Sequence, residues 1–255
     1  EADRYSSPET EIAFARVAPK KYTEYLMAKK PEFKKTPAAA DAALQGIREF
    51  AGLGTSDEES GFKREAVEQL RRGLREHAAG RTPPSVMSVP EILRSLAAFK
   101  PDDLPAVLRE HLKNNDVFVR AAAAELLGGT PASPENAEAL DRAFDKSLLE
   151  DKVYNDAQLA ILDALLKQGK DAARGALLLA LNESDHLLRG KAWQAIRENG
   201  LDKDDPAIAV QFAESVKNRG TVSPFGPGSR SELGVVLNTD ADYRRALARR
   251  NGSVR

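Results

Sequence analysis

Apolar residues recur along this chain at helical spacing, and no stretch alternates as a half-buried strand would. Thr36 suits a cap and Pro37 a first turn. Ala40, Ala43, Leu44, Ile47 and Phe50 then fall on one face, and Gly52 and Gly54 end the run. Phe62, Ala66, Val67, Leu70 and Leu74 predict a second helix, reaching about residue 79 behind three acidic residues that favour a helix N-terminus. Ser88 is placed to cap a short helix from Pro90, with Ile92, Leu93, Leu96 and Phe99 inward. Paired helices follow. The first pair spans about 102–113 and 117–127, with Leu104, Val107, Leu108 and Leu112 facing Val119, Ala122, Ala123, Leu126 and Leu127. The second starts at Ser133 or Pro134 and buries Leu140, Phe144 and Leu148, then Leu159, Leu162, Leu165 and Leu166. The third covers about 171–181 and 186–198, with Trp193 and Ile196 in its second helix. A further helix is expected at 206–218, carrying Ile208, Val210, Phe212, Ala213 and Val216.

The three pairs share a motif. Asp116-Val117-Phe118-Val119-Arg120, Asp151-Lys152-Val153-Tyr154-Asn155 and Asp185-His186-Leu187-Leu188-Arg189 each open a leucine- and alanine-rich run that ends on glycine. The aspartates are 35 and then 34 residues apart. Self-similarity at such a period is the mark of stacked repeats. An aspartate at a helix start accepts from an exposed N–H two or three residues on and complements the dipole. The apolar residue three positions later (Val119, Tyr154, Leu188) is expected to begin the buried face. Arg120 and Arg189, four positions later, are expected to reach the aspartate of a neighbouring repeat as a charge ladder. Asn155 takes that place in the second copy and interrupts the ladder.

The reading is therefore an all-α fold, an α-solenoid of stacked antiparallel helix pairs over residues 36–219. A polar helical segment precedes it at 1–35, where Ile12, Phe14 and Val17 form a weak stripe. Residues 220–255 are a Pro/Gly-rich linker and a short basic helix. Ser223-Pro224-Phe225-Gly226-Pro227-Gly228-Ser229 excludes helix and central strand. Asp240 suits a cap for a helix over 243–250, ended by Asn251-Gly252. The chain opens on Glu1 rather than Met, so its native start is expected to have been removed.

The repeat motif resembles the HEAT-repeat family and its short bacterial relatives, closely over about 102–200 and loosely over 36–100. The period is shorter than the roughly 40–47 residues of HEAT units. A period near 34 also fits tetratricopeptide units, but their Trp, Gly and Tyr positions are missing. The tail from Leu237 to Arg255, including Asp240-Ala241-Asp242-Tyr243-Arg244-Arg245, resembles the segment that joins helical repeats to a cyclophilin-type peptidyl-prolyl isomerase in some bacterial proteins. That resemblance implies a barrel whose first strand starts at about Val254, with none of its active-site residues in these 255. Such proteins are often exported, so it also implies the bacterial periplasm or cell envelope.

Composition narrows the chemistry. The 38 basic and 39 acidic residues nearly cancel, which argues against nucleic acid despite basic pairs such as Lys29-Lys30 and Arg249-Arg250. There is no cysteine, hence no disulfide or thiolate chemistry. No apolar stretch approaches the length that spans a membrane. His77, His111 and His186 lie on different helices without ligand spacing. Asp202-Lys203-Asp204-Asp205 lacks the central glycine and final glutamate of a calcium loop and reads as a polar turn. Gly226-Pro227-Gly228-Ser229 lacks the lysine of a phosphate loop. No catalytic, metal or cofactor residue is assigned. Trp193 is expected to fill space between repeats, and if exposed it would be an interaction anchor.

The chain is thus expected to be a non-catalytic scaffold whose partner is a protein or an attached catalytic domain. The alternative is a free-standing HEAT-like accessory protein that binds a small ligand, a chromophore or nucleic acid.

Overall fold

A computed structural model describes residues 8–18, 21, 44, 46–49, 51–52, 57–80, 88–151, 153–181, 183, 185–204 and 208. Among them every regular element is a helix, so the fold is all-α. The chain divides into two compact units, Glu1–Leu127 and Gly128–Arg255, with the boundary inside the 36–219 segment. Most of the expected helix over 36–50, most of the helix at 206–218, the linker, the basic helix at 243–250 and the tail lie outside the described residues.

In the first unit, helix α1 is Pro8–Val17 and residues 46–49 are helical. Helix α2, Asp57–Ala78, is followed by α3, Val89–Phe99, then α4, Leu104–His111, and α5, Val117–Gly128, whose last residue belongs to the second unit. Ala66, Leu70 and Leu74 recur every four residues along α2 and are buried. They form the face that packs on α3, where Ile92, Leu93 and Leu96 are fully enclosed. Gly73 lies in the same seam, since a methyl group there would come within 3.2 Å of the Ile92 side chain. Ser88 occupies the cap position of α3 in extended conformation, but its side chain makes no capping bond. Lys100 ends α3 in the left-handed region, with φ 49°, where its N–H bonds to the Ala97 carbonyl. Helix α4 lies within the expected 102–113, with Pro105 in its first turn and Asp103 at the cap position pairing with Arg71 rather than with a helix N–H. Small side chains let α5 bury Ala122, Ala123 and Ala124 together with Val119 and Leu127, so it is enclosed on more than one face.

The second unit holds α6, Pro134–Glu150, α7, Asp156–Gln168, α8, Lys170–Leu181, α9, His186–Glu198, and the single turn α10, Leu201–Asp204. Ser133 caps α6 by accepting from the Asn136 N–H, and Pro134 fills its first position. Gly169 alone separates α7 from α8. Its φ of 139° and ψ of 146° make that reversal, and few other residues adopt the conformation. Helix α6 packs on α7 and α8, α7 on α8 and α9, and α8 on α9. Leu140, Phe144, Ile161, Leu162, Leu165, Leu177, Leu188 and Ile196 form the interior. Gly128 is pressed against α7: a methyl group on it would sit 2.9 Å from the Ala164 Cα. The 201–205 segment, expected as a polar turn, includes the helical turn α10, whose Leu201 is buried beside α9.

Candidate functional site

The residues singled out by the repeat motif gather at the turns that join the helices of each pair. Asp116 behaves as expected: its carboxylate accepts from the N–H of Phe118 at 2.8 Å and of Val119 at 3.4 Å. Asp185 does the same at α9, accepting from the Leu188 N–H at 2.8 Å. Asp151 does not sit at a helix start. It follows the last residue of α6, its own N–H bonded to the Ser147 carbonyl, and α7 begins five residues later. Asn155 holds the cap position there, without a side-chain capping bond.

The physical reason is length. Helix α6 continues through Glu150, so Asp151 is the first residue of its turn, whereas Asp116 and Asp185 are the last of theirs. By position, Asn155 is the counterpart of Asp116 and Asp185, and the spacings become 39 and 30 residues. An offset of four exceeds the one or two residues by which helix boundaries are ambiguous. The same shift explains Tyr154. Val119 and Leu188 begin the buried faces of α5 and α9, at 3% and 1% exposure, but Tyr154 is 58% exposed because it lies in the turn.

The ladder residues make these contacts. Arg120 is fully buried and donates to the Asn114 carbonyl at 2.6 Å. Arg189 donates to the Glu183 carbonyl, also at 2.6 Å. Each guanidinium therefore folds back over the turn before its own helix. A side-chain contact between successive pairs comes from Asn155, whose amide donates to the Asp185 carboxylate at 3.3 Å. The α6–α7 and α8–α9 turns thus lie side by side.

Sequence reasoning missed two residues with the arginines' role. Gln158 is buried and donates from Nε2 to the carbonyls of Ser147 (3.0 Å) and Asp151 (3.2 Å). Asn136 is buried and donates from Nδ2 to the Thr130 hydroxyl and the Pro131 carbonyl, both at 3.2 Å. Both stand three residues after the cap position, and the arginines stand four after theirs. A long polar donor one turn into an apolar helix was the available signal. Such groups persist in an interior because they satisfy turn carbonyls that would otherwise lose their hydrogen bonds.

Trp193 is 7% exposed and part of the α9 interior, so its indole fills space and offers no surface anchor. His111 lies near the end of α4, its Nδ1 2.9 Å from the Val107 carbonyl. His186 opens α9 and is exposed. Among the described residues no group of three or more His, Asp or Glu is placed to hold a metal ion. Among them, too, no helix is long and apolar enough to cross a membrane.

Among the described residues three carboxylates have shifted acidities, and the simplest case is Glu110, which the hydrogen bond (2.8 Å) and charge of Lys113 hold below the ordinary value. Burial pushes Glu91 up, but hydrogen bonds from Arg48 (2.7 Å) and Arg94 and the charges of both arginines outweigh it, so its pKa lies below the ordinary value. Burial also raises Asp141, and there the charge of Asp145, one turn along α6, adds to the effect.

The exposed large apolar residues of the second unit concentrate at the same turns. Val153 (84%) and Tyr154 (58%) precede α7, and Leu187 (55%) opens α9. Leu149 and Leu179, also exposed, stand near the ends of α6 and α8 that lead into those turns. No protein-family model, curated protein or solved structure matches the chain.

Proposed function

We propose that this chain is a non-catalytic helical scaffold: a HEAT-like solenoid that presents a surface to a protein partner and forms the helical region of a larger protein. The observation that carries the reading is the packing order of the second unit. Each of α6, α7, α8 and α9 meets its sequence neighbour, and α6 also meets α8 as α7 meets α9. That order is what stacked helix pairs produce, two layers growing in one direction. The buried polar side chains support it too. Arg120, Asn136, Gln158 and Arg189 all brace turns, which is the work a repeat scaffold needs.

On the resemblance of residues 237–255, the attached domain is a cyclophilin-type peptidyl-prolyl isomerase that follows Arg255. The solenoid then positions that domain or its clients, in the bacterial cell envelope. A prolyl-isomerization assay on a proline-containing peptide, run on this chain beside the full-length native product, tests it. The expected result is activity in the full-length product alone. Activity in neither protein removes the isomerase and leaves a free-standing interaction solenoid. Activity in this chain by itself overturns the scaffold reading.

A further inference from the structure

The turn edge of the second unit combines two properties that rarely coincide on a solvated surface. One is exposed apolar area. Val153 and Tyr154 sit within two residues of Asn155, and Leu187 sits two residues after Asp185. The Asn155–Asp185 hydrogen bond brings those two turns together, so the apolar residues beside them lie on neighbouring turns. Exposing leucine, valine and the tyrosine ring is unfavourable, and contact sites draw on apolar groups brought together at the surface. Gln158 and Arg189 brace the backbone of the same turns from inside.

The other property is charge. The described residues of 145–156 and 179–187 include six carboxylates, Asp145, Glu150, Asp151, Asp156, Glu183 and Asp185, against Lys146 and the Arg189 guanidinium that folds over the α8–α9 turn, and Lys152 is one more lysine of this stretch in the sequence. The chain as a whole is almost neutral, with a net charge of −1. Lys146 is within 3.7 Å of Glu150, and Asp185 is occupied at its cap, but Glu150 and Asp156 remain exposed. The two adjoining turns therefore expose three large apolar side chains among more carboxylates than basic groups. A surface of that kind selects partners by complementary charge and gains affinity from the apolar contact.

We propose that this edge is the docking surface for a cationic amphipathic peptide segment of a partner protein, leucine-like side chains covering Val153, Tyr154 and Leu187 and Lys or Arg side chains meeting Glu150 and Asp156. The proposal deepens the scaffold reading and rests on it.

The test is fluorescence anisotropy with the whole chain and three labelled synthetic peptides of about fourteen residues, long enough to form a helix on contact. One carries leucine and lysine at helical spacing, one has glutamate for every lysine, and one has serine for every leucine. The expected result is saturable binding of the Leu/Lys peptide, with both other peptides weaker by ~10-fold or more. The double variant Val153→Ser/Leu187→Ser is expected to weaken it by a similar factor. Both positions are exposed, and a circular dichroism melt verifies that the variant folds. Glu150→Gln/Asp156→Asn is a second variant that leaves the apolar side chains intact, and it should weaken binding most at low salt. Equal binding of the Leu/Lys peptide to the wild type and both variants overturns the proposal while leaving a scaffold that binds elsewhere. Equal binding of the Lys/Ser peptide reduces the edge to an acidic patch and overturns it too, as does no binding at all. If the wild type is a dimer by light scattering and the Val153→Ser/Leu187→Ser variant a monomer, the occupant is a second copy of this chain, and the partner proposal fails. The isomerase assay is indifferent to all these outcomes, so failure of the edge and failure of the scaffold are told apart.

Discussion

In the first unit, arginine–carboxylate pairs run between elements. Arg16 reaches Glu49, Arg48 reaches Glu91 on α3, Arg71 on α2 reaches Asp103, and Arg94 on α3 stands 3.7 Å from Glu125 on α5. Among the described residues of the second unit a lysine–carboxylate pair, Lys191–Asp163, also runs between helices, and leucine and alanine interleave around Phe144 and Trp193. The difference bears on what each unit feels. Partly exposed ion pairs are screened by salt, contribute little each and titrate with acid. Apolar packing neither titrates nor is weakened by charge screening, and it is intolerant of small changes in volume. Both units have an apolar core, but the first should carry the larger share of the salt and pH dependence, over packing that mutation disturbs in either unit.

The largest expected effect tests the apolar half of that contrast. Phe144 is fully buried in α6. Phe144→Ala should cost about 3–5 kcal/mol from lost transfer energy and the cavity left behind. In urea titrations at low and high salt the loss should be equal. A strong salt dependence would mean that charge, not packing, carries this unit.

Overpacking is the next probe. Gly128→Ala drives a methyl group to 2.9 Å from the Ala164 Cα, a backbone atom that cannot step aside. A destabilisation of about 1–3 kcal/mol is expected. Ala164→Gly should partly rescue it, since the Ala164 methyl group also crowds the site, at 3.1 Å. A double-mutant cycle measures that rescue, and strict additivity would place the clash elsewhere.

Gln158→Leu separates packing from hydrogen bonding within the same unit. The volume is nearly kept, but the carbonyls of Ser147 and Asp151 lose their Nε2 donor. A loss on the order of 1–2 kcal/mol is expected. Amide hydrogen exchange should rise locally at residues 151–155, and a uniform rise across α6 and α7 would contradict the bracing role.

Gln158 also shows how far the sequence could be read. The helices were legible because Leu140, Phe144, Leu162 and Leu165 keep a 3.6-residue rhythm that any buried helix must show. Helix caps at Asp116 and Asp185 were legible because only a few side chains satisfy a helix N-terminus. The second turn was not legible. Asp151 is as good a cap as the other two on chemistry alone, and nothing local in Asp151-Lys152-Val153 shows that α6 has not yet closed its last bond to Ser147. In the motif Asn155 stands where the other copies have arginine, yet in the fold it takes the cap position of α7 and bridges to Asp185. Register across a turn is decided by which side chains pack inside, and packing is a tertiary fact. The exposed edge was hidden for the same reason. Tyr154 reads as the start of a buried face until the shift puts it in solvent.

The charged half of the contrast gives a smaller, conditional effect. Glu91 has a pKa depressed below its ordinary 4.5, so it contributes stability above that pH and loses it as the pH falls through the folded value. Glu91→Gln should cost up to about 1 kcal/mol at pH 7. The cost should shrink in molar salt and disappear in acid, once the wild-type carboxyl is protonated too. Thermal melts of both proteins from pH 7 downward measure it. A penalty that stays constant across that range would assign Glu91 a packing role and erase the distinction between the units.

Asp141 inverts that sign inside the second unit. Burial and the neighbouring Asp145 raise its pKa above the ordinary 3.8, so ionising it on α6 opposes folding. The stability it leaves intact is fully present below pH 3.8 and is lost as the pH rises through the higher folded value. Asp141→Asn should therefore stabilise the protein at neutral pH, by about 0.5 kcal/mol or less because the site is open to solvent. The gain should vanish in acid, where both side chains are neutral, and Asp145→Asn should capture part of it by removing the second charge. The two variants separate field from propensity. A gain that survives at low pH would come from the helix preference of asparagine over aspartate. A gain that follows the titration would show that the second unit, despite its apolar interior, also carries a small electrostatic load on its outer face.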